Sequence, residues 1–216
     1  MTNIVIRVAD ASDHDQVLEF IRIHYYKEEP ITISHPEPGH TKDDEAFCMS
    51  WLPYGTVLLA IDTLKNKVVG ALISGPIEAG DADQMIEDAK TAETKKWRDI
   101  MLLLAYIENK ADVCKRFGVE KALHIHVLGV DSSYRGQKIG QRLFKFCFDN
   151  AKLKNYPIVS TDCTSIFSIK IAERLGMDHI ITTTYEEYNK QLGEDLYKPS
   201  PDNAEIKTFI KKIMLN

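Results

Sequence analysis

Residues 123–143, LHIHVLGVDSSYRGQKIGQRL, constrain this chain more than any other stretch. Leu123, Ile125 and Val127 alternate with His124, His126 and Leu128, the period-two pattern of a strand. Asp131-Ser132-Ser133 breaks the pattern, Arg135-Gly136-Gln137-Lys138-Ile139-Gly140 follows, and Ile139, Leu143 and Cys147 then recur at helical spacing. A strand that passes through a glycine-bearing turn into a helix leaves bare amide N–H groups at the helix start, a cradle for phosphate oxygens. Gly136 and Gly140 let a ligand come close to the main chain.

Three phosphate cradles can be compared with this turn. A Walker loop needs Gly-Lys followed by Ser or Thr, whereas Lys138 is followed by Ile139. A dinucleotide fingerprint needs G-x-G-x-x-G, which is not present. The third pattern, Arg/Gln-x-x-Gly-x-Gly/Ala, is the pyrophosphate loop of the GNAT N-acetyltransferases. Arg135 and Gly140 match its ends, and Lys138 occupies its middle glycine. An ordinary strand–helix turn stays open on this stretch alone.

The remaining chain supplies the frame. Alternation predicts further strands over residues 3–8, 56–62, 68–74, 157–161, 179–184 and 204–210. A first helix, with Ser12 as N-cap and Val17, Phe20, Ile21 and Tyr25 on one face, is expected to run to Glu29 and stop at Pro30. Further helices are expected over residues 42–52, from Trp97 to Cys114, and over 164–175, where Gly176 closes the helix. Residues 31–40 and 185–201 read as irregular, and 79–92 as loop with a helical piece. Strands and helices alternate, so an α/β fold with a mixed sheet and helices on both faces follows.

At 216 residues, one domain over 1–216 with a proper core is expected. The formal charge of −5 gives no footprint for nucleic acid and suits a cationic substrate. Cys48, Cys114, Cys147 and Cys163 form no C-x-x-C pair and read as buried, reduced thiols of a cytoplasmic protein. The opening MTNIVIRVAD reads as a strand rather than a signal peptide, and no apolar run is long enough to span a membrane.

The order hairpin, helix, long strand, R-x-x-x-x-G turn, helix, strand, helix ending in Arg174-Leu175-Gly176-Met177 resembles the whole GNAT fold. Three separated pieces resemble the insect arylalkylamine N-acetyltransferases in particular: Tyr25-Tyr26-Lys27-Glu28-Glu29-Pro30, Asp162-Cys163-Thr164-Ser165-Ile166-Phe167-Ser168, and Tyr185-Glu186-Glu187-Tyr188 through Pro199-Ser200-Pro201. The resemblance implies a mostly antiparallel sheet of about seven strands flanked by helices on both faces. It also implies acetyl-CoA as cosubstrate, a small primary amine (an arylalkylamine or related biogenic amine) as acceptor, and no metal. A monomer is expected.

Carried over residue by residue, the resemblance makes Glu29 the general base. The chemistry agrees, because an amine arrives as an ammonium ion and must lose a proton before it attacks a thioester. Glu28 is then an acidic neighbour. His124 and His126 resemble the His-x-His proton path of the vertebrate enzymes, with their imidazoles about 7 Å apart by strand geometry; two satisfied histidines on a strand face is the plainer alternative, and no third metal ligand is evident. The tyrosine acid of the vertebrate enzymes is replaced here by Ala172. Thr164 and Ser168 correspond to two hydroxyls near the leaving thiolate, although Thr164 also reads as a plain N-cap. The resemblance further implies that Leu128, Gly129 and Val130 offer main-chain donors, and that Arg135, Gly136, Gln137, Lys138, Ile139, Gly140 and Ser168 contact the cofactor. No cysteine has the setting of an activated nucleophile, so direct attack in a ternary complex is expected. A protein or peptide N-acetyltransferase, and a CoA-binding sensor that has lost transfer, are the alternatives.

Overall fold

The structure is a computed structural model and describes residues 3–215. Strand β1 (Ile4–Val8) leads into α1 (His14–His24), α2 (Pro30–Ser34) and α3 (Lys42–Ser50). The hairpin β2 (Leu58–Asp62) and β3 (Lys67–Glu78) follows, then α4 (Asp81–Lys90), α5 (Lys95–Ala111) and α6 (Val113–Phe117). The second half runs β4 (Lys121–Val130), α7 (Ile139–Leu153), β5 (Ile158–Cys163), α8 (Ile166–Arg174), β6 (Asp178–Thr184), α9 (Tyr185–Leu192) and β7 (Glu205–Lys212). The seven strands form one sheet in the order β1-β2-β3-β4-β5-β7-β6. Among the described residues every neighbouring pair is antiparallel except β4–β5.

Alternation along the strands divides the core between two faces. Leu58, Ala60, Leu72, Leu123 and Ile125 pack with Leu143, Phe144 and Cys147 of α7 and Ala172 of α8. Val57, Leu59, Ala71 and Ile73 pack with Val17, Phe20 and Ile21 of α1 and Cys48 of α3. Each fully buried Leu, Ile or Phe contributes about 1.5–3 kcal/mol relative to exposure, so both helix layers are held firmly. The four cysteines are free and buried.

The alternation read through Leu128 fails at one residue. Ile73 pairs with Val127 but Ser74 pairs with Ile125, so His126 is an extra residue on β4, a β-bulge. Before it, Leu123 and Ile125 face α7 and α8; after it, Leu128 and Val130 do so, and Val127 turns to the α1–α3 face.

Other elements differ from the sequence reading for local reasons. Asp10, not Ser12, caps the one-turn helix before α1, in a box with Asp13. Helix α1 ends at His24 rather than Glu29, and Pro30 occupies the first turn of α2, where a missing N–H costs nothing. Strand β3 runs through Gly75-Pro76, with Pro76 opposite Leu123. The long helix breaks at Asp112, whose φ of 40° is left-handed. The helical piece expected within residues 79–92 is α4, which takes up most of that stretch, and α9 occupies part of the polar stretch expected to be irregular, anchored by buried Tyr185 and Tyr188. Ser165, not Thr164, caps α8, and of the expected inward residues only Ala172 is fully buried.

Candidate active site

Strands β4 and β5 pair only at Leu123–Val159, His124–Ser160 and Ile125–Thr161. Beyond that point β4 continues to Val130 and β5 to Cys163 without pairing, so the two splay. The opening is a cleft of about 720 Å³. Leu128, Gly129 and Val130 line it, as do Arg135, Gly136, Lys138, Ile139, Gly140, Ser165 and Ser168. Gln137 sits in the same turn, outside the lining. A smaller cavity of about 80 Å³ lies by α3 and α5, between Phe47, Trp97, Asp44 and His124. Tyr25, Glu29, His126, Asp162 and Thr164 line both spaces and form their junction.

The turn after β4 is locked from behind. The Asp131 carboxylate accepts from Ser133 N–H at 2.9 Å, Ser133 Oγ at 2.7 Å and Lys67 Nζ at 2.7 Å. These bonds outweigh its burial and hold its pKa down, at about 2. Buried Tyr134 donates to Asp62 at 2.7 Å. The turn then takes two left-handed residues, Gly136 at φ 82° and Lys138 at φ 59°. Lys138 therefore adopts the backbone a glycine would take, and its side chain makes no capping hydrogen bond at the start of α7. Its first amides are open to an anion. Gly140 serves packing: a Cβ there would lie 2.9 Å from Ile171 of α8 and 3.5 Å from Leu128.

The histidine pair is fixed by aromatic neighbours. The bulge brings the His124 and His126 rings to 4.8 Å apart, closer than an even strand would. Trp51 stacks on His126 at 4.9 Å and 13°, and Phe47 meets its edge at 5.1 Å. Gly75 makes this stack possible, since a Cβ there would sit 2.1 Å from the Trp51 ring. His124 Nδ1 is 2.9 Å from Ser160 Oγ, and Nε2 is 3.7 Å from Asp162. Burial lowers the pKa of His124, and lowers that of His126 strongly, with the His124 charge adding to the effect. Both rings are thus neutral near neutral pH, and His126 Nε2 is buried with no hydrogen-bond partner among the described residues.

Glu29 caps α2 with its own carboxylate. Ile31 N–H donates to one oxygen at 3.0 Å and Thr32 N–H to the other at 2.6 Å. These bonds orient it at the junction, 6% exposed. An ionised carboxylate has about four acceptor sites, so capacity remains for a substrate proton. Glu28 instead pairs with Arg135 across the mouth of the cleft, both half exposed. The segment after α2 is held by buried Lys96, which donates to the carbonyls of Thr32 at 2.8 Å, Glu37 at 2.6 Å and Gly39.

At the start of α8, Ser165 and Ser168 form a reciprocal capping box. Ser168 Oγ donates to the Ser165 carbonyl at 2.9 Å, so its proton is engaged. Thr164 lies one residue before the cap and lines both spaces. Sequence reasoning missed Asp44, Trp51, Trp97 and Ser165. Ser165 followed three residues on by Ser168 was the one local signal; Asp44 sits in the acidic first turn of α3, where carboxylates usually face the helix N-terminus and solvent.

A splayed parallel pair, a left-handed turn with open amides and a cleft along the strand edge fit an extended pyrophosphate-bearing thioester. Leu128–Val130, Arg135, Gly136 and the start of α7 would hold it. Together these features define an acyl-transfer protein, and the chain belongs to the Acetyltransferase (GNAT) family, whose model matches residues 18–177. That family uses acetyl-CoA, and the chain is an N-acetyltransferase of amine substrates. It is 46% identical to a mosquito arylalkylamine N-acetyltransferase-like 5b, with a TM-score of 0.94 over 97% of this chain and 100% of the other. It is 33% identical to a Drosophila melanogaster polyamine N-acetyltransferase that forms N-acetylagmatine, with a TM-score of 0.92 over 97% and 100%. An Aedes aegypti arylalkylamine N-acetyltransferase 2, at 24% identity over 98% and 100% of the chains, shares the fold with a TM-score of 0.90. Among the described residues no cluster of three or more His, Cys, Asp or Glu is placed to hold a metal, and no helix is long and apolar enough to cross a membrane.

Proposed function

We propose that this protein acetylates a small primary amine, an arylalkylamine or related biogenic amine, by direct attack in a ternary complex, acting as a monomer. The observation that carries this reading is the junction: a cofactor-sized cleft meets a cavity of about 80 Å³ where Glu29 lines both. Space of that size holds several water-sized groups, enough for a small amine and too little for a peptide chain. The 46%-identical mosquito relative, an arylalkylamine N-acetyltransferase-like protein, supports the same substrate class.

Acetyl-CoA supplies the acetyl group as an activated thioester. Glu29 attracts the ammonium and takes its proton, directly or through water. Neutral His126, with an unpartnered Nε2, and His124 beside it offer the proton a route toward Asp162. Main-chain N–H groups on the open edge of Leu128–Val130 stabilise the carbonyl oxygen as it gains charge. Because the Ser168 proton is engaged, Thr164 is the better placed donor for the departing sulfur. The test is turnover of acetyl-CoA against a panel of amines and an N-terminal peptide. The reading requires acetylated small amine; transfer to the peptide alone, or to nothing, overturns it.

A further inference from the structure

The charged side chains of the cofactor cleft are sorted along its length. Its inner end carries Glu29 and Asp162, both at the junction with the amine cavity. Away from the junction it carries Arg135, Lys138, Lys170 and Arg174 against one acid, Glu28, which pairs with Arg135. A chain of net charge −5 thus gathers cations at the outer end of one cleft. Two of them stand on α8. Phe167, Lys170, Ile171 and Arg174 follow the spacing i, i+3, i+4 and i+7, so one face of that helix walls the cleft. Ile171 seats this face against the first turn of α7, 2.9 Å from where a Gly140 Cβ would stand. Lys170 and Arg174 are exposed and have no ion pair or hydrogen bond among the described residues. A cation in the last turn of a helix suits its dipole, which accounts for Arg174 but not for Lys170. Nor does it account for Phe167, 70% exposed one turn earlier on the same wall.

The turn before α7 offers a pyrophosphate one set of open amides and Arg135. CoA carries a third phosphate, on the 3′ position of its ribose, and a phosphomonoester holds a charge of about −1.5 to −2 near neutral pH. One set of amides at a helix start cannot serve both groups. The third phosphate therefore calls for Arg or Lys donors of its own, and the adenine beside it for an aromatic face. The cleft-facing side of α8 offers both, with Phe167 and Arg174 two turns, about 10 Å, apart. Resting on the acetyl-CoA-dependent reading above, we infer that this face of α8 receives the 3′-phosphoadenosine end of CoA. Lys170 and Arg174 bind the 3′-phosphate and Phe167 covers the adenine, so the protein distinguishes CoA from thioesters that lack this phosphate.

The experiment is calorimetry on the full chain with CoA and with 3′-dephospho-CoA. Charge-assisted hydrogen bonds of this kind predict that CoA binds roughly ten- to a hundredfold tighter. In the double variant Lys170→Ala with Arg174→Ala, that preference should fall below about threefold while the dephospho-CoA Kd stays within about threefold of wild type. Lys170→Arg keeps the charge and should keep the preference. Phe167→Ala should weaken both ligands by the same factor and leave their ratio unchanged, since both carry the adenine. In turnover, acetyl-dephospho-CoA should reach the same kcat at a higher KM, because the missing phosphate lies away from the thioester. Equal wild-type affinities, or a preference that survives in the double variant, overturns the assignment of the 3′-phosphate to α8. Unchanged affinities in Phe167→Ala overturn the adenine contact. Binding of neither ligand would overturn the acetyl-CoA reading itself, whereas equal binding of both counts only against α8.

Discussion

The two compartments that meet at Glu29 are made of different material. The cofactor side is mostly main chain from one run of sequence: the open edge of β4, two left-handed residues and the uncapped start of α7. Its side chains largely turn away and lock the turn, as Asp131 does with Lys67 and Tyr134 with Asp62. The amine side is side chain throughout, with Glu29, Asp44, Phe47, Trp97 and His126 arriving from separate elements. A site built from backbone tolerates exchange of side chains, as Lys138 in a glycine position illustrates. A site built from side chains depends on each one, and holds charges that cost stability.

The sharpest way to break this contrast is Glu29→Gln. General-base assistance is worth about 10²–10⁴ in rate, so kcat should fall by that factor while the KM for acetyl-CoA stays put. A glutamine cap retains one amide acceptor, which limits the loss of fold stability to about 1 kcal/mol. A variant with normal kcat would move the base elsewhere on the amine side.

Next in size is a gain. Asp44 has a folded-state pKa raised to about 7, against about 3.9 in an unfolded chain. A raised value contributes stability below the unfolded pKa and loses it as pH rises through the folded one. Asp44→Asn removes that loss, so the variant should be more stable than wild type by roughly 2–4 kcal/mol near pH 8, with the difference vanishing toward about pH 4. Urea titrations across pH measure it. The two buried histidines titrate in both proteins and cancel in the comparison. A destabilised variant at pH 8 would mean that the carboxylate is paired after all.

Gly140→Val tests the backbone side. Its Cβ meets the end of the Ile171 side chain at 2.9 Å, so Ile171 must repack, and the added methyls of valine crowd the contact between α7 and α8. Overpacking of this kind costs about 1–3 kcal/mol. Acetyl-CoA affinity by calorimetry should weaken more than tenfold, or about 1.4 kcal/mol, because α8 walls the cleft. Normal affinity would sever the cleft from the cofactor.

The smallest effect belongs to Lys138→Gly. Glycine accepts the left-handed backbone freely, so the variant should gain about 1 kcal/mol in thermal or chemical denaturation. Its acetyl-CoA Kd should stay within about tenfold of wild type. Total loss of binding would show that the lysine side chain, not the main chain, holds the cofactor.

The same contrast explains what could be read from residues alone. The cofactor side is contiguous, so strand, turn and helix appear in order from Leu123 to Leu143, and the role of the turn follows from amides that exist in any sequence. The amine side is brought together only by the sheet. Asp44 reads as one of three acids opening a helix, Trp51 and Gly75 carry no mark of their contact, and Lys96 looks like any helical lysine. Glu29 was visible as an acid before a proline, but Pro30 starts a helix there instead of ending one, which turns the carboxylate inward onto two amides. The bulge at His126 is set by pairing with β3 and leaves no trace in composition.

That extra residue has a consequence for anyone recombining this chain with its relatives. It divides β4 into two reading frames, one facing Leu123 and Ile125 toward α7, the other doing the same for Leu128 and Val130. A crossover placed after Val127 transfers the cofactor turn in frame. One placed upstream, with a donor segment a residue shorter, would turn Leu128 and Val130 to the opposite face and point Val127 at α7, inverting the turn's foundation while leaving every motif intact.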